Sequence, residues 1–184
     1  MARTALVPIA DGTEEIEAAC IIDTLRRAGI EVTVASVDAL QVTASRGVKI
    51  VADRLIADCV GRTYDCIALP GGMPGAEHLR DSAPLIAKLK EQKDAGRLYA
   101  AICASPAVVL HHHGLLNGVK ATCYPGMQNQ LDPKGVRRDR VIVDGNCVTS
   151  QGPATAIDFA LKLVELLAGP DKARQVAQAM LVAC

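Results

Sequence analysis

The sequence predicts a doubly wound α/β fold, a mostly parallel sheet with helices on both faces. Three observations carry this. Short apolar runs that read as strands alternate with stretches of helical periodicity along all 184 residues. Half of the residues are apolar, yet the aromatics are only Tyr64, Tyr99, Tyr124 and Phe159, so the core is aliphatic, as suits parallel strands covered on both sides. The chain also shows no repeat, linker or low-complexity tract, so residues 1–184 read as a single domain of ordinary size. A chain of this length buries roughly 70% of the surface its unfolded form exposes, and its core needs no metal or disulfide staple.

Each element has its own signal. Ala5–Ala10 is an apolar strand stopped at Asp11-Gly12. A helix follows from Glu14 to Ala28, with Asp11 and Glu14 spaced for a capping box and Glu14, Glu15 and Glu17 favoured at the positive end of its dipole. Ile16, Cys20, Ile21, Leu25 and Ala28 form its apolar stripe, and Gly29 ends it. Glu31–Val37 alternates polar and apolar residues as a strand, and Thr43–Val51 reads as a small hairpin turning near Arg46-Gly47. Asp65–Leu69 is a buried strand running into Pro70-Gly71-Gly72. Leu85–Ala95 is a helix closed by Gly96, and Leu98–Ile102 is a buried strand leading directly to Cys103. Pro106–His111 begins a helix that Gly114 stops. Val141–Val143 and Cys147–Thr149 flank the turn Asp144-Gly145 as a hairpin. Ala154–Leu167 and Lys172–Val182 are the closing helices.

Composition excludes several function classes. Twenty basic residues balance twenty acidic ones without a long run of either sign, and four scattered aromatics offer no base-stacking platform, so nucleic acid is not expected as a partner. No window approaches the run of about 20 apolar residues that a membrane span needs, and the first apolar stretch is too short for a signal-peptide core. The seven cysteines include no C-x-x-C pair and read as reduced thiols in the cytoplasm. His111, His112 and His113 are adjacent on a helix, where neighbours point about 100° apart and cannot chelate one ion, so no metal is expected. Neither G-x-G-x-x-G nor a Walker loop is present, and no cofactor is expected.

In doubly wound sheets ligands bind at the carboxyl ends of the strands. Three features fall there: Asp11–Glu17, Pro70-Gly71-Gly72 and Cys103-Ala104-Ser105. Cys103 sits at a tight strand-to-helix turn, the geometry of a nucleophile elbow, where the next helix's N-terminus favours thiolate. It reads either as a reactive thiol or as another small buried cysteine like Cys20, Cys66 and Cys147. Gly71-Gly72 reads either as an anion-binding backbone or as a tight turn. Glu17 reads either as a desolvated carboxyl held protonated beside the thiol or as a solvated helix-start carboxylate.

Ala10–Glu17, Leu69–Gly72 and Ala100–Pro106 resemble the ThiJ/PfpI superfamily, specifically the branch of the Parkinsonism-associated deglycase and bacterial YajL. The resemblance continues through Ala44–Val48 and Thr149–Ala156 and so covers essentially the whole chain. It implies a flavodoxin-like sandwich, usually homodimeric, with Cys103 as the reactive residue and a protonated Glu17 hydrogen-bonded to its sulfur. It further implies an anion pocket built from Gly71, Gly72 and Ala104, and basic residues Arg27 and Arg46 near the site and the dimer interface. Tyr124 stands where many relatives carry a histidine, and Ala44 where some carry a second cysteine. Proteolytic and amidotransferase relatives place a histidine directly after the cysteine, whereas Ala104 follows here. The implied activity is glutathione-independent conversion of small reactive aldehydes or dicarbonyls, methylglyoxal to lactate above all. The alternatives are a redox sensor or redox-activated chaperone working through Cys103 sulfinate, or a member of the fold with no activity.

Overall fold

Seven strands form one sheet in the order β5-β2-β1-β6-β7-β9-β8 in the computed structural model, which describes residues 2–182. Cys184, read above as a reduced thiol, lies outside the described residues. The strands are β1 (Thr4–Ile9), β2 (Glu31–Ser36), β5 (Arg54–Leu55), β6 (Cys66–Leu69), β7 (Leu98–Ile102), β8 (Val141–Asp144) and β9 (Cys147–Ser150), while β3 (Gln41–Thr43) and β4 (Lys49–Val51) make a separate antiparallel ribbon. All pairings in the large sheet are parallel except that of the edge strand β8 with β9. Its five central strands run 2-1-3-4-5 in chain order, the flavodoxin-like arrangement, with the topological switch between β1 and β6.

Period-two alternation divides the strand side chains between two aliphatic cores. Leu6, Ile67, Leu69, Tyr99 and Ala101 face one way, toward α2 (Gly75–Asp81), α3 (Ala83–Asp94) and the wide, π-type helix Pro106–His111. Val7, Ile9, Cys66, Ala68, Ala100 and Ile102 face the other, toward α1 (Glu15–Arg27), α4 (Ala156–Ala168) and α5 (Pro170–Ala179). Both faces are covered, so the central strands are buried throughout.

Several details depart from the sequence expectations. Glu14, not Asp11, caps α1: its Oε2 accepts from the Glu17 N–H at 2.9 Å. Asp11 instead accepts from the Thr43 N–H at 2.7 Å and ties the β3–β4 ribbon to the first loop. The buried stripe of α1 is Glu17, Ala18, Ile21, Thr24 and Leu25, whereas Ile16 points outward. This rotation carries Glu17 inward. The helix α2 and the short strand β5 had no clear sequence signal. α4 is preceded by a single helical turn at Pro153–Thr155, and α5 begins at Pro170 rather than Lys172.

Candidate active site

The loops after β1, β6, β7 and β9 gather at the carboxyl edge of the sheet, beside the switch point. Cys103 follows the last residue of β7 and adopts φ +64°, a left-handed conformation that costs a non-glycine residue about 1–3 kcal/mol. The surroundings hold it there from both sides. Its N–H donates to the Ser150 carbonyl at 3.1 Å, and its own carbonyl accepts from the Tyr124 N–H at 2.7 Å. Two residues on, the buried Ser105 hydroxyl donates to the Pro70 carbonyl at 2.6 Å and binds the elbow to the loop after β6.

Gly71 and Gly72 leave space that no side chain could occupy. A Cβ on Gly71 would lie 2.6 Å from the Cys103 Cβ and 2.9 Å from the Ile102 carbonyl oxygen. Gly72 has φ +89°, and a Cβ there would sit 2.4 Å from both the Glu14 nitrogen and the Gly12 carbonyl oxygen. The β1 and β6 loops thus touch backbone to backbone, and the Glu14 N–H donates to the Gly71 carbonyl at 2.9 Å.

Glu17 enters this floor from α1, with no exposed surface. Its Oε2 accepts from the Gly71 N–H at 2.7 Å. Its Oε1 is buried and has no hydrogen-bond partner among the described residues. The titratable group this carboxyl meets is the Cys103 thiol, and the two perturb each other. Burial pushes Glu17 up to about 7, against the opposing pull of the Gly71 N–H and Cys103, with a further upward push from the Glu14 charge. Burial also pushes the Cys103 thiol up to about 12, reinforced by the Glu17 charge, while the Gly72 and Ala104 N–H groups hydrogen-bond the sulfur and pull it back.

The helix following Cys103 is a wide segment of six residues, and the sulfur is half-buried beside a carboxyl. Burial and the Glu17 charge therefore outweigh the pull of the Ala104 N–H, and the thiol is raised where the sequence predicts it lowered. The two groups instead titrate as a pair, both raised by burial, and the Glu17 charge disfavours a second negative charge on the sulfur. A single charge on the pair rests either on the carboxylate with a thiol beside it or on a thiolate beside a carboxyl. The second form is the nucleophilic one, with Gly72 and Ala104 facing the sulfur.

Of the sequence candidates, the structure brings Cys103, Glu17, Gly71, Gly72, Ala104, Arg46 and Tyr124 together. The Gly71 N–H is taken by Glu17, which leaves Gly72 and Ala104 as the amides on the sulfur. Arg27 is not at this site within the chain: it sits in the last turn of α1, paired with Asp23 at 2.5 Å. Arg46 does line the cleft. Glu15, which the sequence marked only as a dipole-favouring residue, fixes the Ser45–Arg46 turn: its carboxylate accepts from the Ser45 hydroxyl and the Arg46 N–H, each at 2.8 Å. Burial pushes the Glu15 pKa up, but these bonds and others to backbone N–H groups outweigh it and hold it below the usual value.

The cleft over Cys103 has a volume of about 500 Å³. Glu14, Ser45 and Arg46 supply its polar lining, and Met73, Tyr124, Met127 and Pro153 its apolar lining. A groove of about 520 Å³ between α4 and α5 is lined by Asp158, Lys162 and Glu165, which are matched in ion pairs, whereas the Cys103 cleft sets a thiol beside a buried carboxyl. Burial pushes Cys66, Cys123 and Cys147 up to about 12, and none of the three lines the Cys103 cleft, the character of inert core thiols. His113 Nε2 lies 2.9 Å from the Arg80 carbonyl and packs edge-on against His112. Among the described residues no three His, Cys, Asp or Glu side chains gather as a metal site. None of the described helices is long and apolar enough to cross a membrane.

The family model described as "DJ-1/PfpI family" matches residues 3–166. Protein DJ-1 homolog B of Arabidopsis thaliana is 49% identical over 178 residues, covering 96% of this chain and 41% of the relative. The chain thus spans less than half the length of that protein. The glutathione-independent glyoxalase DJR-1.2 of Caenorhabditis elegans is 36% identical over 180 residues, covering 97% of this chain and 95% of the relative. Among solved structures, oxidized Toxoplasma gondii DJ-1 superposes with a TM-score of 0.98 at 55% identity, with full coverage of both chains.

Proposed function

The chain belongs to the DJ-1/PfpI family, and from that premise we propose that it is a cysteine-dependent, glutathione-independent enzyme acting on reactive dicarbonyls such as methylglyoxal. The observation that carries the reading is Glu17: a fully buried carboxyl, anchored through one oxygen to the Gly71 N–H, with the other oxygen unpaired in the hydrogen-bond network and a pKa of about 7 beside Cys103. Such a group is poised to move protons at neutral pH. The relative named a glutathione-independent glyoxalase supports the same class of reaction.

The chemistry follows from the pair. The Cys103 proton passes to Glu17 as the sulfur attacks the aldehyde carbon, and the resulting hemithioacetal oxyanion meets the Gly72 and Ala104 N–H groups. Glu17 returns that proton to the oxyanion, then takes the hydrogen of the former aldehyde carbon as a proton and delivers it to the second carbon through an enediolate. The first carbon's hydroxyl proton meanwhile passes to the second carbon's oxygen. The first carbon is oxidised to a thioester while the second is reduced to an alcohol, so no external oxidant is consumed. Water cleaves the thioester, releasing lactate and restoring the thiol. Tyr124 supplies no imidazole, so Glu17 is the one acid–base group in this scheme.

The test is lactate formation from methylglyoxal without glutathione. Wild-type protein is expected to form lactate, Cys103→Ala to form none, and Glu17→Gln to lose at least about 10²-fold in kcat/KM. Lactate from the Cys103→Ala variant at the wild-type rate would defeat the mechanism.

A second reading is favoured by one observation, the close likeness to a structure described as oxidized. In it Cys103, half-buried and therefore reachable, is taken by peroxide to a sulfinate that Glu17 and the Gly72 and Ala104 amides hold, and the oxidised protein works as a sensor or chaperone. Stoichiometric gain of two oxygens at Cys103 with no dicarbonyl turnover would decide for it. For assembly we propose a homodimer through the face of α1 and the β3–β4 ribbon, where Ile16, Val48 and Val51 are exposed apolar residues. The six described cysteines are all unpaired, which fits a reducing, cytoplasmic setting.

A further inference from the structure

We propose that the Cys103 cleft selects 2-oxoaldehydes bearing an aryl substituent over methylglyoxal, with Tyr124 and Met127 as specificity-determining residues. The inference rests on the dicarbonyl reading above and names the substrate class within it. Its starting point is size. A cleft of about 500 Å³ falls within the range of about 300–1,000 Å³ typical of sites for ligands far larger than a methyl-bearing dicarbonyl. Methylglyoxal held at Cys103 leaves most of that volume to water.

The lining decides what fills it. Met73 and Tyr124 are 42% and 48% exposed, a large apolar area left open beside a nucleophile. The Tyr124 backbone is held at both its N–H and its carbonyl. Its N–H holds the Cys103 carbonyl, its carbonyl accepts from the Met127 N–H at 2.8 Å, and it opens the short helical turn Pro125–Gln130. The ring lies against glycines: a Cβ on Gly126 would be 3.2 Å from its Cε1, and one on Gly152 would be 3.8 Å from its Cδ2. An aromatic ring lying beside two glycines, with a thioether one turn away, presents an open face to another ring. Flat apolar groups stack on tyrosine, and thioether sulfur packs favourably on aromatic edges. The polar lining of Glu14, Ser45 and Arg46 is left to the hydrated carbonyl end of the substrate.

The experiment has two arms. In the first, kcat/KM is measured for phenylglyoxal and methylglyoxal, reading mandelate and lactate. The phenylglyoxal-to-methylglyoxal ratio is expected to exceed about 10 in the wild type, to persist in Tyr124→Phe, and to fall toward parity in Tyr124→Ala and Met127→Ala, a change on the scale of hydrophobic-pocket discrimination. The second arm needs no turnover. Phenacyl bromide and bromoacetone alkylate Cys103: the sulfur–carbon bond forms, bromide leaves with the electron pair, and the thiol proton passes to solvent. Each rate is divided by the rate with free glutathione.

The corrected phenacyl preference is expected to be about tenfold in the wild type and Tyr124→Phe, and lost in Tyr124→Ala. Loss of all alkylation in a variant would report misfolding, and Met127→Ala then carries the comparison. A phenacyl preference without turnover of either dicarbonyl would support the cleft assignment while overturning the enzyme reading. A corrected preference near one in the wild type, or one unchanged by both alanine variants, would overturn the proposal.

Discussion

Glu17 is fully buried, and burial raises its pKa against the opposing pull of the Gly71 N–H on one of its oxygens. Its folded pKa of about 7 lies above the ordinary value of 4.5. Its contribution to stability is therefore complete below pH 4.5 and is lost as pH rises through about 7. The shift corresponds to about 3 kcal/mol at most. Glu17→Gln cannot ionise, so it is expected to be more stable than the wild type above pH 7, with the difference vanishing toward pH 4.5. Urea denaturation at pH 5 and pH 8 reads this directly, and identical pH dependence in the two proteins would refute it. The same titration predicts that kcat/KM for dicarbonyl turnover rises through pH 7 in the wild type and shows no break there in Glu17→Gln.

At the scale of elements, the site is an interlock of loops in which backbone approaches backbone. Gly71→Ala would press a methyl group onto Cys103 and the Ile102 carbonyl. It is expected to lower stability by about 1–3 kcal/mol and to abolish Cys103 chemistry. Gly61→Ala is the control, because a Cβ there meets nothing within 4 Å and needs no left-handed backbone. Equal effects of the two would contradict the interlock. Much of this architecture was legible in the sequence. β1, β6 and β7 were readable as unbroken apolar runs, and the Cys103 turn because a strand ran straight into it. The helix α2 was not: Gly75 and the preceding Pro74 lower local propensity, and the helix forms because Ala76 and Leu79 find the core. Nor was the rotation of α1. The sequence stripe counted Ile16 as inward, but burial of Glu17 against Gly71 and Cys103 turns Ile16 to the surface, so a polar contact overrode the apolar pattern.

Over the whole molecule, the sheet is capped at one edge by the antiparallel β8 and is covered on both faces, while α1 and the β3–β4 ribbon leave apolar side chains in the open. Val51 is 68% exposed and Val48 52%. If a second copy covers them, the paired change Val48→Asp with Val51→Glu is expected to give a monomer by sedimentation at micromolar concentration while the far-ultraviolet spectrum stays unchanged. A dimer of undiminished strength would move the interface elsewhere. The floor of the cleft and its apolar lining also have different futures under mutation. Gly12, Gly71, Gly72 and Gly75 each fill their place with bare backbone, so drift at any of them disturbs two loops at once. Met73 and Tyr124 are open side chains at the mouth. Exchange of side chains at the mouth can therefore change what the cleft admits while the floor around Cys103 stays unaltered.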